Sequence, residues 1–171
     1  MAQHDGVEPR PEGPYFGPRG HLVSQGDIFE DVPIVVAPGP VDGEHDVTSA
    51  ECMVLTASCN IDHRADQLLV CPVAPMANLG LDRGIIKEIR EYDCHHRLMY
   101  LPAEDDRPER MALIYKAQSI DRHVLESCDR QSQLTADATR QLMRKLVLFL
   151  SGNHFPRATF SLAPDDFPSE T

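Results

Sequence analysis

The sequence predicts a small α+β fold, a curled sheet or barrel sealed by one helix. Three observations point there. Several apolar, β-branched runs of strand length fall between residues 26 and 120. One amphipathic run of helical period follows them, and proline- and glycine-broken stretches flank both.

The elements follow in order. Residues 1–20 hold Gly6, Pro9, Pro11, Gly13, Pro14, Gly17, Pro18 and Gly20, a density that predicts a disordered arm. Tyr15 and Phe16 either dock on the body or travel with that arm, and the loose arm is the expectation. The compact domain is expected over 21–155, with 156–171, ending "APDDFPSET", as a flexible tail. "GDIFEDVPIVV" reads as a strand in which Pro33 marks an edge or a bend. "PGPVDGEHDVTS" is a turn-rich acidic loop. "ECMVLTAS" and "DQLLVCPVAPM" read as two strands of a long hairpin, with "ASCNIDHR" at its corner. "LDRGIIKEIREYD" spaces Ile85, Ile86, Ile89 and Tyr92 for a short amphipathic helix or an irregular turn. "HRLMYLPA" and "RMALIYKAQSI" give two more strands around the acidic turn "EDDRPE". "LTADATRQLMRKLVLFLSG" is the clearest helix: Leu142, Leu146 and Leu150 form its stripe, broadened by Met143, Val147 and Phe149. Thr135 is its natural N-cap, Asp137 suits the first turn, and Gly152 supplies the stop.

Composition bounds function. A chain of 171 residues, 42% hydrophobic and 25% charged, is that of a soluble globular protein. No apolar stretch approaches the roughly 18 residues of a membrane-spanning helix, and "MAQHDGVEPRPEG" has no apolar signal core, so a cytoplasmic address is expected. The five cysteines form no CxxC pair and are expected as free thiols. A formal charge of −11 disfavours nucleic acid, which is held by clustered Lys and Arg, while leaving room for a local basic groove. Thirteen arginines against three lysines, with frequent Ala, Pro and Asp, suit a high-GC bacterial genome.

The order of these phrases resembles the MazF/PemK family of bacterial growth inhibitors over about residues 25–150. "QGDIFEDVP" stands for the family's opening strand, "MVLTAS" for its central strand and "LLVCPVAP" for the next. "MALIYKAQSIDR" resembles its late strand and "LTADATRQLMRKLVLFL" its closing helix. The resemblance implies an SH3-like barrel with a terminal helix and, for the family, a dimeric endoribonuclease restrained by an antitoxin. It also implies a catalytic arginine before the central strand and a threonine closing the next one. Here those places read "SAECMVLT", with Glu51 and Cys52, and "CPVAP", with Ala74. Without a fixed cation and a hydroxyl, the main electrostatic contribution to phosphodiester cleavage is missing.

Two clusters carry candidate chemistry. At the hairpin corner, Asp62 and His63 could reach back to Cys59, and a thiol beside histidine becomes a nucleophile or a metal ligand. The plainer reading is turn chemistry by Asn60 and Asp62. In "DCHHR", Cys94 and His96 could join Cys59 and His63 as a Cys2His2 zinc site, although C-x3-H and C-x-H match no standard zinc module. Cys52, Cys71 and Cys128 are expected as packing residues, and the basic set Arg140, Arg144 and Lys145 as a solvated face. Nucleophile-elbow, P-loop and dinucleotide signatures are absent from the sequence.

The sequence therefore points to a small binding or regulatory protein without a required cofactor, working through a protein partner or as a homodimer. Its functional lip would comprise Thr56, Ser58, Cys59, Asp62 and His63. The second reading is a toxin-like endoribonuclease with Arg64 as the displaced cation and His63 as acid–base group. The third is a metal- or thiol-dependent enzyme centred on Cys59.

Overall fold

The computed structural model describes residues 14–35, 47–62, 65–92 and 95–151. In chain order its elements are β1 (Phe16–Gly17), β2 (Asp27–Val35), β3 (Val47–Val54), α1 (Ser58–Asp62), β4 (Gln67–Pro75), α2 (Arg83–Tyr92) and β5 (Leu98–Leu101). They continue with β6 (Arg110–Leu113), β7 (Gln118–Asp121), α3 (Arg122–Glu126), β8 (Arg130–Leu134) and α4 (Ala136–Ser151). The strands form one eight-stranded sheet in the order β1-β8-β2-β3-β4-β6-β5, with β7 also on β4, and every pairing is antiparallel. The expected α+β class with a C-terminal helix holds. Among the described residues no strand pairing closes the sheet into a barrel.

Two devices curl it. β4 keeps β3 along one side but changes partner on the other, pairing with β7 through Gln67–Val70 and with β6 through Val73–Pro75. Pro72 lies at that handover, where neither neighbour needs the N–H that proline lacks. In β2 the register with β3 shifts between Phe29 and Val32, where Asp31 has φ 54, a left-handed conformation that Asp tolerates. The bend expected at Pro33 thus falls two residues earlier. Pro33 itself lies past the last residue of β2 that pairs with β8. Farther along this free edge, the Val35 N–H donates to Gln118 Oε1 at 2.9 Å, and Gln118 Nε2 donates to the Val35 carbonyl at 3.5 Å. One side-chain amide of β7 so caps the β2 edge, where a closed barrel would carry a ladder.

Apolar side chains divide into three cores. Phe29, Val32, Cys52, Val54, Leu68, Val70 and Ile120 fill the inside of the curl, with Ile61 of α1 and Leu125 of α3 plugging it. Ile89 of α2 packs on Leu98, Tyr100 and Met111. The third core lies under α4, where Ala138, Leu142 and Leu146 meet Ile28, Met53, Met99 and Leu101. The stripe of α4 differs from the one expected. Leu150 is 75% exposed and Val147 61%, so they point outward with Met143. Lys145, expected on the solvated face, is buried, and its Nζ donates to the His95 carbonyl at 2.6 Å. Thr135 caps the helix as expected, Oγ1 accepting from the Ala138 N–H at 3.4 Å. Gly152 lies outside the described residues.

Three other expectations change. "RMALIYKAQSI" is two strands, β6 and β7, separated by a 3₁₀ turn at Ile114–Lys116, so one apolar phrase serves both partners of β4. The corner "ASCNIDHR" enters a short helix, α1, because Ile61 must turn inward to plug the curl. Within the segment expected as a loose arm, Tyr15 is buried and Phe16–Gly17 pairs with Leu134 and Gln133 of β8.

Candidate functional site

The densest polar assembly lies at the far end of the α4 core, on the sheet face that Met53 shares. β3 supplies Glu51, β2 supplies Glu30 beside its bulge, β8 supplies Gln131 and β6 supplies Arg110. The turn between β5 and β6 folds over them. It is closed by Glu104 N–H to Arg107 carbonyl at 3.2 Å and Arg107 N–H to Glu104 carbonyl at 2.8 Å. Arg110 is only 2% exposed. Its guanidinium donates to Glu51, and to Glu104 Oε2 at 3.4 Å, with its Cζ 5.7 Å from the centre of the Phe16 ring. Arg107 donates to Glu30 Oε1 at 2.9 Å and to Gln131, and lies 3.8 Å from Glu51 Oε1.

Two guanidinium groups are therefore matched by three carboxylates, and the cations are spoken for. Burial pushes the Glu51 carboxyl above its usual range, while Arg110 and Arg107 pull it back. Arg110 Nε and Arg107 Nη1 are buried without a hydrogen-bond acceptor. Next to this network Glu109 accepts from Arg90 Nε at 2.9 Å and from the Tyr100 hydroxyl. The acidic turn "EDDRPE" is thus partly structural, with Glu104 and Glu109 both paired.

In the sequence each of these residues looks ordinary alone. The available signal was a pair of opposite charges inside apolar strand words, Glu51 in "SAECMV" and Arg110 in "ERMALIY". Strand interiors seldom hold a charge without a partner.

The expected lip is assembled differently. Thr56 Oγ1 accepts the Leu69 N–H at 2.6 Å, and Ser58 Oγ accepts the Gln25 N–H at 3.1 Å. Buried Gln25 also donates through Nε2 to the Leu55 carbonyl at 2.8 Å. Both hydroxyls thus pin the corner. Cys59 is exposed on α1, 3.8 Å from Asn60 Oδ1. Asp62 ends α1, while His63, Arg64 and Cys94 lie outside the described residues. Of the four suggested zinc ligands only Cys59 and His96 are described. Among the described residues no three His, Cys, Asp or Glu side chains gather as a metal set. Burial raises the Cys52 thiol to about 12 and raises Cys71 as well, in keeping with packing roles.

A second feature is His95, whose Nε2 is buried without a partner. Burial lowers its pKa, with Lys145 and His96 pushing the same way. An unfolded chain then takes up this proton at higher pH than the folded one. Stability from His95 is fully present above its ordinary value of about 6.5 and is lost as pH falls below it. Urea titrations at pH 7.5 and 5.5 should show that loss, and His95→Gln should reduce the difference. An unchanged difference would locate the pH response elsewhere.

Fold and site together define an α+β protein with an open, curled antiparallel sheet carrying a charge-matched arginine–glutamate network. No protein-family model matches the chain, and no curated protein matches it in sequence. No described helix is long and apolar enough to cross a membrane.

Proposed function

We propose that this chain is a small cytoplasmic bacterial binding or regulatory protein on a MazF/PemK-like, SH3-like barrel. It acts on a protein partner or as a homodimer, has no ribonuclease activity and needs no cofactor. Glu51 carries the reading. It stands at the start of the buried part of the central strand, where the resemblance calls for a cation, and it holds Arg110 and Arg107. Guanidinium groups already neutralised by carboxylates offer little extra stabilisation to a developing phosphorane charge. The outward row of Met143, Val147 and Leu150 on α4 supports a protein-binding role, because apolar side chains aligned on one exposed helix face suit a partner. The Gln118 clasp between β7 and β2 supports the barrel.

The second reading is a toxin-like endoribonuclease with Arg64 as the displaced cation and His63 as the acid–base group, both outside the described residues. Incubating the purified protein with single-stranded RNA separates the two. No cleavage is expected, and no gel shift at 0.15 M salt. Cleavage would overturn the binding reading, and its loss in Arg64→Ala or His63→Ala would assign the activity to those residues. Metal analysis of the same sample tests the metal-dependent form of the Cys59-centred enzyme, for which stoichiometric zinc is required.

A further inference from the structure

The segment 14–17 sits on the body as a bound peptide would. Its hydrogen bonds run to residues more than a hundred positions away. The Thr135 N–H donates to the Tyr15 carbonyl at 3.0 Å, and Thr135 Oγ1 donates to the Pro14 carbonyl at 3.0 Å. The Tyr15 hydroxyl donates to Gln141 Oε1 at 2.6 Å. Phe16 and Gly17 pair with Leu134 and Gln133, and so use two of the five residues of β8. The rings are seated in different surroundings. Tyr15 is buried in the α4 core, and Phe16 packs at its margin over Arg110 in a cation–π contact.

A two-residue strand is marginal by itself. Displacement requires the strap to open locally at a cost below that of unfolding. That opening works against the further hold of the Gly20 N–H on Gln133 Oε1 at 2.7 Å and of Arg19 Nη1 on the Arg130 carbonyl at 2.7 Å. What it leaves is a groove made by the outer edge of β8, the first two turns of α4 and Arg110. An added extended strand would meet the main-chain groups of β8, while the two side-chain seats would select its sequence.

We propose that this groove recognises an extended segment of a partner protein bearing two adjacent aromatic residues, and that residues 14–17 fill it in cis until displaced. The inference rests on the binding reading above and names the partner's chemistry. The first aromatic is a tyrosine, whose hydroxyl reaches Gln141. The second offers its ring face to Arg110. Glycine follows here, and a Cβ at Gly17 would meet Thr135 Cγ2 at 3.4 Å, an ordinary contact, so this third place selects little.

The test uses the full chain and a fluorescein-labelled peptide with the sequence of residues 14–20, PYFGPRG, followed by fluorescence anisotropy. Phe16→Ala weakens the strap in cis but leaves the groove. The peptide is expected to bind the Phe16→Ala chain at least tenfold more tightly than the unmodified one. A smaller difference, or no binding by the folded variant, overturns the proposal. Should Phe16→Ala unfold, native-state hydrogen exchange on the unmodified chain decides. The Thr135 amide, bonded to the strap, should exchange through a local opening well before the Leu55 amide, bonded to Leu69 at 2.8 Å within the sheet. Exchange of both only through global unfolding overturns it. A failed peptide titration without RNA cleavage ends this inference alone, whereas RNA cleavage ends the binding reading.

Discussion

Arg110→Ala is expected to lower the unfolding free energy by about 3 kcal/mol, the lower end of what removing one partner of a buried ion pair costs. The residue is almost fully enclosed, and its loss strands Glu51, itself largely buried, beside Glu104. It also removes the aliphatic stem and the cation under the Phe16 ring. For a chain of 171 residues that corresponds to a fall in Tm of roughly 6–12 °C. Urea unfolding of Arg110→Ala, Glu51→Gln and the double variant forms a cycle with a specific expectation. The double variant should cost clearly less than the sum of the singles, because Glu51→Gln removes the charge that Arg110→Ala strands. Arg110→Met, which keeps the stem and drops the charge, should recover part of the loss only when combined with Glu51→Gln. A fall below 1 kcal/mol for Arg110→Ala would mean the network is worth no more than a surface pair.

The elements that sequence alone locates are those whose signal is local. β4 announces itself by its apolar run, the inner half of β3 by "CMV", and α4 by its period, its Thr135 cap and its first-turn Asp137, whereas Val47–Ser49 of β3 fall in the stretch expected as a loop. β8 escapes because "RQSQL" is mostly polar. Its Ser132 and Leu134 are buried by β2, β1 and α4, contacts made across the whole chain. β1 escapes for the same reason. Two residues among prolines and glycines become a strand only because β8 offers an edge and the α4 core accepts Tyr15. The site follows the same rule. Arg110 lies 59 residues from Glu51, and Arg107 lies 77 from Glu30, so no spacing pattern connects them. The corner at Cys59 was legible as a short motif, and motifs are what sequence reading favours. Its hydroxyls are acceptors in the scaffold, and its burial is decided by Ile61 rather than by the cysteine.

The face of α4 offers the sharpest contrast between neighbours. Leu142 is fully buried where the helix crosses β5 and β3, while Val147, five residues on, is mostly in solvent. Leu142→Ala should therefore cost about 3 kcal/mol, since it removes buried methyl groups and leaves a cavity among Met53, Met99 and Leu101 that a rigid sheet cannot collapse to fill. Val147→Ala should change stability by less than about 0.5 kcal/mol, as for other exposed positions, and Met143→Ala by little more. The expected stripe of leucines would have given another pattern, with Leu150→Ala costing as much as Leu142→Ala. Urea unfolding of the four alanine variants separates these cases directly. If Leu150→Ala proves as costly as Leu142→Ala in dilute protein, the end of α4 packs on its own chain. If the cost of Leu150→Ala or Val147→Ala appears only at high protein concentration, mass action assigns it to an interface between copies, because association stabilises the folded form in proportion to the logarithm of concentration.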